Sequence, residues 1–276
     1  MGEVEGILRA EDFFSLEGSP FQLLFAETEY VWEGLERIKG FIKNHLVPNS
    51  GLVRRGKSLI EKDLVIYNGN IIETGFEIDD SGKKTVVRRN GKILEGASIL
   101  FAGCCLMDDQ IYIGSNTMVE PTALIKGPTY IGDNTEIRHG AYIRGNVLVG
   151  DNCVVGHATE IKSSVMLGDS KAGHFAYIGD SILGEVNLGA GTKLANLKMV
   201  DSPMVLNIDN VTYETGLRKF GAIIGDGVET GCNSVTAPGT ILAKNVLLYP
   251  NGTARGFYPQ NTLIKVRQDQ NCQNIR

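Results

Sequence analysis

Three cationic side chains recur at one fixed interval along the chain. Lys126, Arg144 and Lys162 are spaced evenly, each eighteen positions after the one before. If that interval is one structural repeat, they stack on one face as a ladder of like charges, which repel each other by a few tenths to about 1 kcal/mol. A bound phosphate would relieve this repulsion, and so would side chains that fan into solvent beside neighbouring Glu. The spacing alone leaves both interpretations open.

Histidines follow the same interval, since it separates His139 from His157, and His174 comes one position short of the next step. Imidazole serves as a general base near neutral pH or as a zinc ligand. In a column of strands about 4.8 Å apart, the outer two rings are separated by about 9.6 Å, too far to share one zinc ion. Only a metal shared between subunits stays open, and we expect none. We expect His139 and His157 to be ordinary corner or surface residues.

The elements that must position these side chains come from a six-residue repeat. Every sixth residue is aliphatic, and a small residue stands two positions before it. Side chains two positions apart share one face of a strand, so each hexad predicts a short strand followed by a corner. Three hexads make one coil of a triangular prism, with room for about nine coils between residues 107 and 266. The repeating aliphatics are Ile113, Val119, Ile125, Ile131, Ile137, Ile143, Val149, Val155, Ile161 and Leu167.

Glycine and asparagine mark the predicted corners. We expect the Gly residues that follow the aliphatics, at 114, 132, 150, 156 and 168, to adopt tight corner geometry. Asn116, Asn134 and Asn152 recur once in every three hexads, and Asn tolerates positive φ. The repeat slips by one residue near Lys171 and again in residues 181–187. It is interrupted at 197–220 by a long loop of the kind that is functional or disordered.

The first hundred residues show no repeat. Val31, Leu35, Ile38 and Ile42 are spaced as one face of a helix, and Pro48 follows its expected end. The segments LVIYNGNIIE and VVRRNGKIL carry Asn-Gly between apolar stretches, which predicts hairpins. We therefore predict a small α/β domain of unknown role in residues 1–100, followed by a β-helix domain in residues 101–276 with the inserted loop at 197–220.

Composition limits the function classes. The chain of 276 residues has 27 basic and 32 acidic side chains, a net charge of −5, which excludes a generic nucleic-acid binder. No apolar run approaches the roughly 18 residues of a membrane span, and the acidic start MGEVEGILRAEDF lacks the features of a signal peptide. We expect a cytoplasmic protein without a membrane partner. Its five Cys form neither a disulfide framework nor a CxxC pair, and we expect reduced thiols.

The segment EIKSSVMLGDSKAGHFAYIGDSILGEVNLGAGTKLANLK resembles the hexapeptide-repeat acyltransferases. It is most similar to the acetyltransferase half of the bifunctional bacterial enzyme that acetylates glucosamine-1-phosphate and then uridylylates it, and to its archaeal-type relatives. The similarity is near-continuous over residues 160–198 and looser over residues 107–266. It implies a mainly β fold, a left-handed parallel β-helix, a homotrimer and acetyl-CoA as co-substrate, with no metal.

The resemblance also implies roles for individual residues. His174 is the general base that takes a proton from the sugar amine as the amine attacks acetyl-CoA. Arg144 and Lys162 are implied to bind the phosphate, and Cys232 and Tyr249 are implied to bind acetyl-CoA. The residues implied to bind the sugar or to support the histidine are Glu160, Tyr177, Asn187, Asn196 and, from the neighbouring subunit's loop, Lys219.

The chain departs from the family pattern at Leu197, where the bacterial enzyme has Tyr, at Cys232, where a Ser is usual, and in a longer loop before Arg218. Residues 1–100 contain no Gly-rich nucleotide loop, so we do not expect uridyl transfer.

The leading hypothesis is an acetyl-CoA dependent N-acetyltransferase of an amino-sugar phosphate in sugar-nucleotide biosynthesis, with glucosamine-1-phosphate as first candidate. Two alternatives are an acyl-carrier dependent acyltransferase on a UDP-amino sugar and a catalytically silent trimeric scaffold that partners a nucleotidyltransferase.

Overall fold

A computed structural model describes residues 8–82, 84–267 and 271–274. From residue 98 onward the chain winds into a three-sided parallel β-helix of about nine coils. Each coil places one strand in each of three sheets, which we call faces 1, 2 and 3 in chain order. The mainly β repeat fold predicted from the hexads is therefore confirmed.

The strands of the three faces are as follows. Face 1 contains Ser98–Leu100, Met118–Val119, Glu136–Ile137, Val154–His157, Lys171–His174, Asn187–Leu188, Glu229–Thr230, Leu247–Leu248 and Leu263–Ile264. Face 2 contains Cys105–Leu106, Leu124–Ile125, Tyr142–Ile143, Glu160–Lys162, Tyr177–Gly179, Lys193–Leu194, Val235–Thr236 and Thr253–Ala254. Face 3 contains Ile111–Ile113, Thr129–Ile131, Val147–Val149, Ser164–Met166, Ile182–Leu183, Ala222–Ile224, Thr240–Leu242 and Phe257–Tyr258.

The predicted aliphatic column fills the interior of the β-helix, with one exception. All of its members from Ile113 to Ile161 belong to the central core cluster. The prediction is wrong at Leu167, because Val149 pairs with Met166 and Met166 turns inward instead. The repeat therefore shortens by one residue already between Ile161 and Met166, which is earlier than the slip predicted near Lys171.

The corner residues behave as predicted for asparagine but not for glycine. Asn116, Asn134 and Asn152 have φ of 53°, 54° and 57°. Gly132 and Gly156, by contrast, do not have the left-handed backbone conformation, and a Cβ built on either would lie closer than 3.0 Å to backbone of the next coil. Glycine is required there because successive coils approach each other closely.

The N-terminal elements follow the predicted periodicities. Helix α1 spans Ala10–Phe13, α2 spans Gly34–His45 and α3 spans Ser50–Arg54, with 3-10 turns at Gln22–Phe25 and Val31–Glu33. The buried face of α2 includes Ile38 and Ile42, as predicted. Both Asn-Gly hairpins are confirmed. The first is formed by Leu64–Tyr67 and Asn70–Ile72. The second is formed by Val86–Arg89 and Lys92–Ile93, and Glu77–Asp79 pairs with its first strand to make a three-stranded sheet.

The N-terminal segment and the insertion at 197–220 cover the outward side of face 3. Phe21 and Trp32 of the N-terminal segment share one apolar cluster with Val165 of face 3 and with Leu206 of the insertion. The insertion is an ordered hairpin of Val205–Ile208 and Val211–Glu214. A separate α/β domain in residues 1–100 is not confirmed, and the boundary at residue 100 stays a prediction.

No helix among the described residues combines the length and apolarity that crossing a membrane requires.

We predict that Gly156→Ala destabilises the β-helix, because its Cβ would overlap the Gly173 carbonyl group in the next coil. Overpacking of this kind costs about 1 to 3 kcal/mol, measured as the free energy of unfolding in denaturant. Gly173→Ala is the matched control, since nothing lies within 4 Å of a Cβ there, and its stability should change by less than about 0.5 kcal/mol. Equal stabilities of the two variants would contradict the close stacking.

Candidate functional site

The cation ladder lies on the outward side of face 2, where its members have partners within the chain. The Lys126 ammonium and the Arg144 guanidinium lie 5.3 and 5.8 Å from the centre of the same Tyr142 ring. Arg144 also donates a hydrogen bond of 2.8 Å to the Glu160 carboxylate. These contacts offset the like-charge repulsion, so the ladder does not by itself require a bound anion.

Lys162 belongs to a polar network that is largely enclosed. Its ammonium pairs with Asp180 at 2.7 Å, and both side chains are 15% exposed. The Asn196 amide donates to the same carboxylate, and the Asn196 carbonyl oxygen accepts a hydrogen bond of 3.2 Å from the Tyr177 hydroxyl. Solvent screens such a pair less than a surface pair, so the network holds Lys162 and Tyr177 in fixed positions.

The protonation states of this surface follow from its neighbours. Burial raises the pKa of Tyr177, and the Glu160 and Asp180 carboxylates raise it further, while Arg144 opposes them. The hydrogen bond to Glu160 raises the pKa of Arg144. Tyr177 therefore stays a neutral hydrogen-bond donor and Arg144 stays a cation at neutral pH.

His174 lies at the edge of this surface. It ends a strand of face 1, and Tyr177 begins the next strand of face 2 after one corner. Glu160 is level with Tyr177, and Lys162 is level with Gly179, about 6.6 Å further along the strand. Face 2 thus presents a histidine at one edge, a tyrosine and a carboxylate in the middle, and cations at the other edge.

The other histidines are held in the corner between faces 1 and 2. The His139 and His157 rings stack with centres 5.2 Å apart, and His139 Nδ1 lies 2.8 Å from the Thr122 hydroxyl. The aromatic column continues from His157 to the Phe175 ring at 5.1 Å. Within the described residues no group hydrogen-bonds to the ring of His174, which is exposed, so its nitrogens are available to a ligand.

Two implied sugar contacts lie in unexpected places. Lys219 lines a cavity together with Asp180 of the same chain, so it reaches this region without a neighbouring subunit. Asn187 lies on face 1 opposite Lys171, about 10 Å along the strand from His174. The structure therefore brings Lys219 to the site and leaves Asn187 outside it.

The two residues implied in acetyl-CoA binding follow His174 along the same corner. The strand pairings place Cys232 level with His174 two coils further on, a rise of about 9.6 Å. Tyr249 lies one coil beyond, and the Lys265 ammonium is 5.4 Å from the centre of its ring. Cys232 and Tyr249 are both exposed.

Cysteines and metal ligands do not form a further site in the described part of the chain. All five cysteines are free thiols, and burial raises the pKa of Cys104 and of Cys153 to about 12. In residues 8–82, 84–267 and 271–274, no three His, Cys, Asp or Glu side chains converge as metal ligands.

Sequence reasoning gave no role to Asp180, although this carboxylate joins Lys162 to Asn196. It follows Lys162 by eighteen residues, but the coil between them is one residue short and places Gly179 level with Lys162, so the interval alone does not reveal the pair. Sequence reasoning also missed the N-terminal wall of the cavity beside Lys219, because no repeat relates helix α2 to the β-helix.

Comparisons with known proteins agree with the β-helix geometry. The family described as the GMPPB C-terminal domain matches residues 125–256. A bifunctional sugar-1-phosphate nucleotidylyltransferase/acetyltransferase of Sulfurisphaera tokodaii is 36% identical over 98 residues, which are 35% of this chain and 24% of that protein. The bifunctional protein GlmU of Methanococcus vannielii is 41% identical over 83 residues, 30% of this chain and 20% of the relative. The matched segment thus spans a quarter or less of these relatives, and the resemblance found in the sequence is confirmed.

Solved structures similar to this chain include a hexapeptide transferase family protein from Anaplasma phagocytophilum. The matched region covers 61% of this chain and 76% of that protein's chain, with a TM-score of 0.34 and 15% sequence identity. PerB from Caulobacter crescentus, solved in complex with CoA and GDP-perosamine, covers 59% of this chain and 56% of its own, with a TM-score of 0.26 and 15% identity.

We predict that the neighbours of Tyr177 control its pKa with opposite signs. The phenolate is an anion, so Glu160→Gln and Asp180→Asn should lower the pKa of Tyr177, and Arg144→Ala should raise it. The measurement is an alkaline titration of phenolate absorbance, taken as the difference between each variant and the same variant carrying Tyr177→Phe. An unchanged pKa in all three variants would mean that these side chains do not share one surface.

Proposed function

We propose that the chain transfers an acetyl group from acetyl-CoA to the amine of an amino-sugar phosphate, of which glucosamine-1-phosphate is the simplest member. The observation that carries this proposal is the order of groups across face 2, from His174 at one edge to Arg144 and Lys162 at the other. The similarity to bifunctional relatives whose names include acetyltransferase supports the reaction class. The finer substrate rests on the site alone.

In this proposal His174 acts as the general base. An ammonium cannot attack a thioester, so the ammonium first releases one proton to solvent. The neutral amine loses a second proton as it attacks, and imidazole is the side chain best suited to accept that proton near neutral pH. The amine nitrogen forms a bond to the thioester carbon, and the carbon–sulfur bond then breaks. The proton held by His174 passes to the departing CoA thiolate, so the enzyme returns to its starting state.

Arg144 and Lys162 bind the phosphate group. In the free chain their partners are Glu160 and Asp180, which keep both cations extended over face 2. A phosphate offers several anionic oxygens and accepts short charge-assisted hydrogen bonds from both side chains. The Tyr177 hydroxyl and the Glu160 carboxylate lie between this end and His174, where a sugar ring would lie.

The acetyl-CoA arm follows the corner between faces 1 and 2. The strand pairings place Gly173, Gly189 and Gly231 one above the other beside that corner, and all three are partly exposed. They form a strip without side chains that leads from His174 towards Cys232 and Tyr249. A flexible pantetheine chain can lie against such a strip with its thioester at His174.

Asn187 joins the site only when face 1 of a second copy lies against face 2 of the first. Face 3 cannot serve as this contact because the N-terminal segment and the insertion already cover it. We therefore propose a homotrimer in which each site is completed by a neighbour, with Asn187 rather than Lys219 as the contribution in trans.

The test of the function is release of CoA thiol from acetyl-CoA in the presence of a panel of amino-sugar phosphates. We predict that His174→Ala lowers kcat about 10² to 10⁴ fold, the usual contribution of a positioned general base. Affinity for acetyl-CoA and the melting temperature should stay unchanged, since His174 is exposed and its ring holds no internal hydrogen bond within the described residues.

His139→Ala and His157→Ala are the matched controls, because both rings belong to the same corner and should have mild effects on kcat. A His174→Ala enzyme with normal turnover would remove the mechanism. It would favour instead the catalytically silent scaffold, which keeps the β-helix and has no need of a base.

We also predict that Arg144→Ala and Lys162→Ala weaken binding of the sugar phosphate much more than binding of acetyl-CoA. Each lost charge-assisted hydrogen bond should cost about 1.5 to 3 kcal/mol, measured by titration calorimetry with each substrate. Lys126→Ala, which removes the third cation of the ladder, serves as control and should leave both affinities near those of the unaltered protein. Equal losses for the two substrates would contradict the phosphate assignment.

A further inference from the structure

The cavity that Lys219 and Asp180 line lies beside the proposed phosphate site, at the corner between faces 2 and 3. It has a volume of about 190 Å³, several times the roughly 30 Å³ that a water molecule occupies in the liquid. Its lining includes Asn146 and Asp180 of the β-helix, Lys219 of the insertion, and Glu36 and Lys39 of helix α2. Glu36, Lys39 and Asn146 have no part in the acetyl-transfer site described above.

Helix α2 is held firmly against this corner. Its buried residues Ile38 and Ile42 belong to the apolar cluster that covers face 3, and the helix contacts strands Val147–Val149 and Ser164–Met166. At its first turn, a Cβ on Gly34 would meet the Phe25 ring closer than 3.0 Å, so helix and neighbouring turn approach closely. Lys39 therefore projects from a packed element rather than from a loose tail.

Two lysines and two carboxylates line the cavity, and one of these carboxylates already has a cationic partner outside it. Neither Lys39 nor Lys219 has a carboxylate within 4.0 Å among the described residues, while the charge of Asp180 is already balanced by Lys162 at 2.7 Å. Glu36 is the one other carboxylate in the lining.

Asp180 connects this cavity to the proposed phosphate site, because it lines the cavity and also binds the Lys162 ammonium. An anion in the cavity and an anion on Lys162 would therefore lie on either side of the Asp180 side chain. One acceptor that carries two phosphoryl groups could supply both anions.

We propose that this cavity binds a second phosphoryl group of the acceptor substrate, held by Lys39 and Lys219. The proposal rests on the proposed function, since Arg144 and Lys162 hold the first phosphoryl group. It narrows the substrate class to an amino sugar that carries either a nucleoside diphosphate or two separate phosphates. Lys39 is then a specificity-determining residue that the N-terminal segment supplies to a site on the β-helix.

The test uses the full chain without acetyl-CoA, titrated with inorganic phosphate and with pyrophosphate. Lys39→Met should weaken pyrophosphate binding about 10-fold and leave phosphate binding within about twofold. Glu36→Gln, which removes the opposing charge, should strengthen pyrophosphate binding. Lys43→Met is the matched control, because Lys43 lies in the last turn of the same helix and outside the cavity lining, and it should change neither affinity.

The outcomes separate this proposal from the proposed function. If Lys39→Met binds pyrophosphate as tightly as Lys43→Met does, the second site is refuted, and the proposed function still stands when Arg144→Ala and Lys162→Ala lose phosphate binding. If those two variants also bind both anions normally, the proposed function fails as well. UDP-glucosamine and glucosamine-1,6-bisphosphate then distinguish the two sources, since Lys39→Met should raise KM for whichever is the substrate and leave kcat unchanged.

Discussion

Each coil of this β-helix is hydrogen-bonded to the coils before and after it, and that stacking fixes the place of every outward side chain. Strands in adjacent coils lie about 4.8 Å apart, and a shift of one residue within a strand turns its side chains to the opposite face. The chain therefore absorbs its three shortened repeats at corners, between Ile161 and Met166, between Ile178 and Leu183, and between Leu183 and Leu188. Face 2 keeps its pairing throughout, so Glu160 stays level with Tyr177.

The covering of face 3 decides which surfaces remain for chemistry. Apolar side chains such as Leu148 and Ile223 point outward there, and they are buried only because Phe21, Trp32 and the hairpin of the insertion pack on them. The burial of these large apolar groups stabilises the arrangement and, as a consequence, fixes Lys39 and Lys219 at the corner with face 2. Two segments outside the repeat thus line the cavity at this corner.

The features that could be predicted from the sequence are those that the six-residue repeat determines. A period of six sets the inward column, and Asn116 reports positive φ because few other residues tolerate it. The exact coil in which the repeat shortens was not predictable, because Met166 and Leu167 are both apolar and either could face the core. The position of helix α2 was equally hidden, since it depends on packing between residues far apart in sequence. The ion pair of Lys162 with Asp180 needed the three-dimensional register.

The two proposed phosphate ligands are not equivalent, and the difference comes from their exposure. The side chains of Arg144 and Glu160 are 44% and 34% exposed, so solvent screens their attraction and an anion can draw Arg144 away at little cost. Lys162 and Asp180 are 15% exposed, and Asn196 donates a further hydrogen bond to Asp180, so Lys162 keeps its carboxylate and shares its remaining donors. The Asp180 carboxylate that pairs with Lys162 also lines the cavity beside Lys219, so one carboxylate borders both of the proposed phosphate sites.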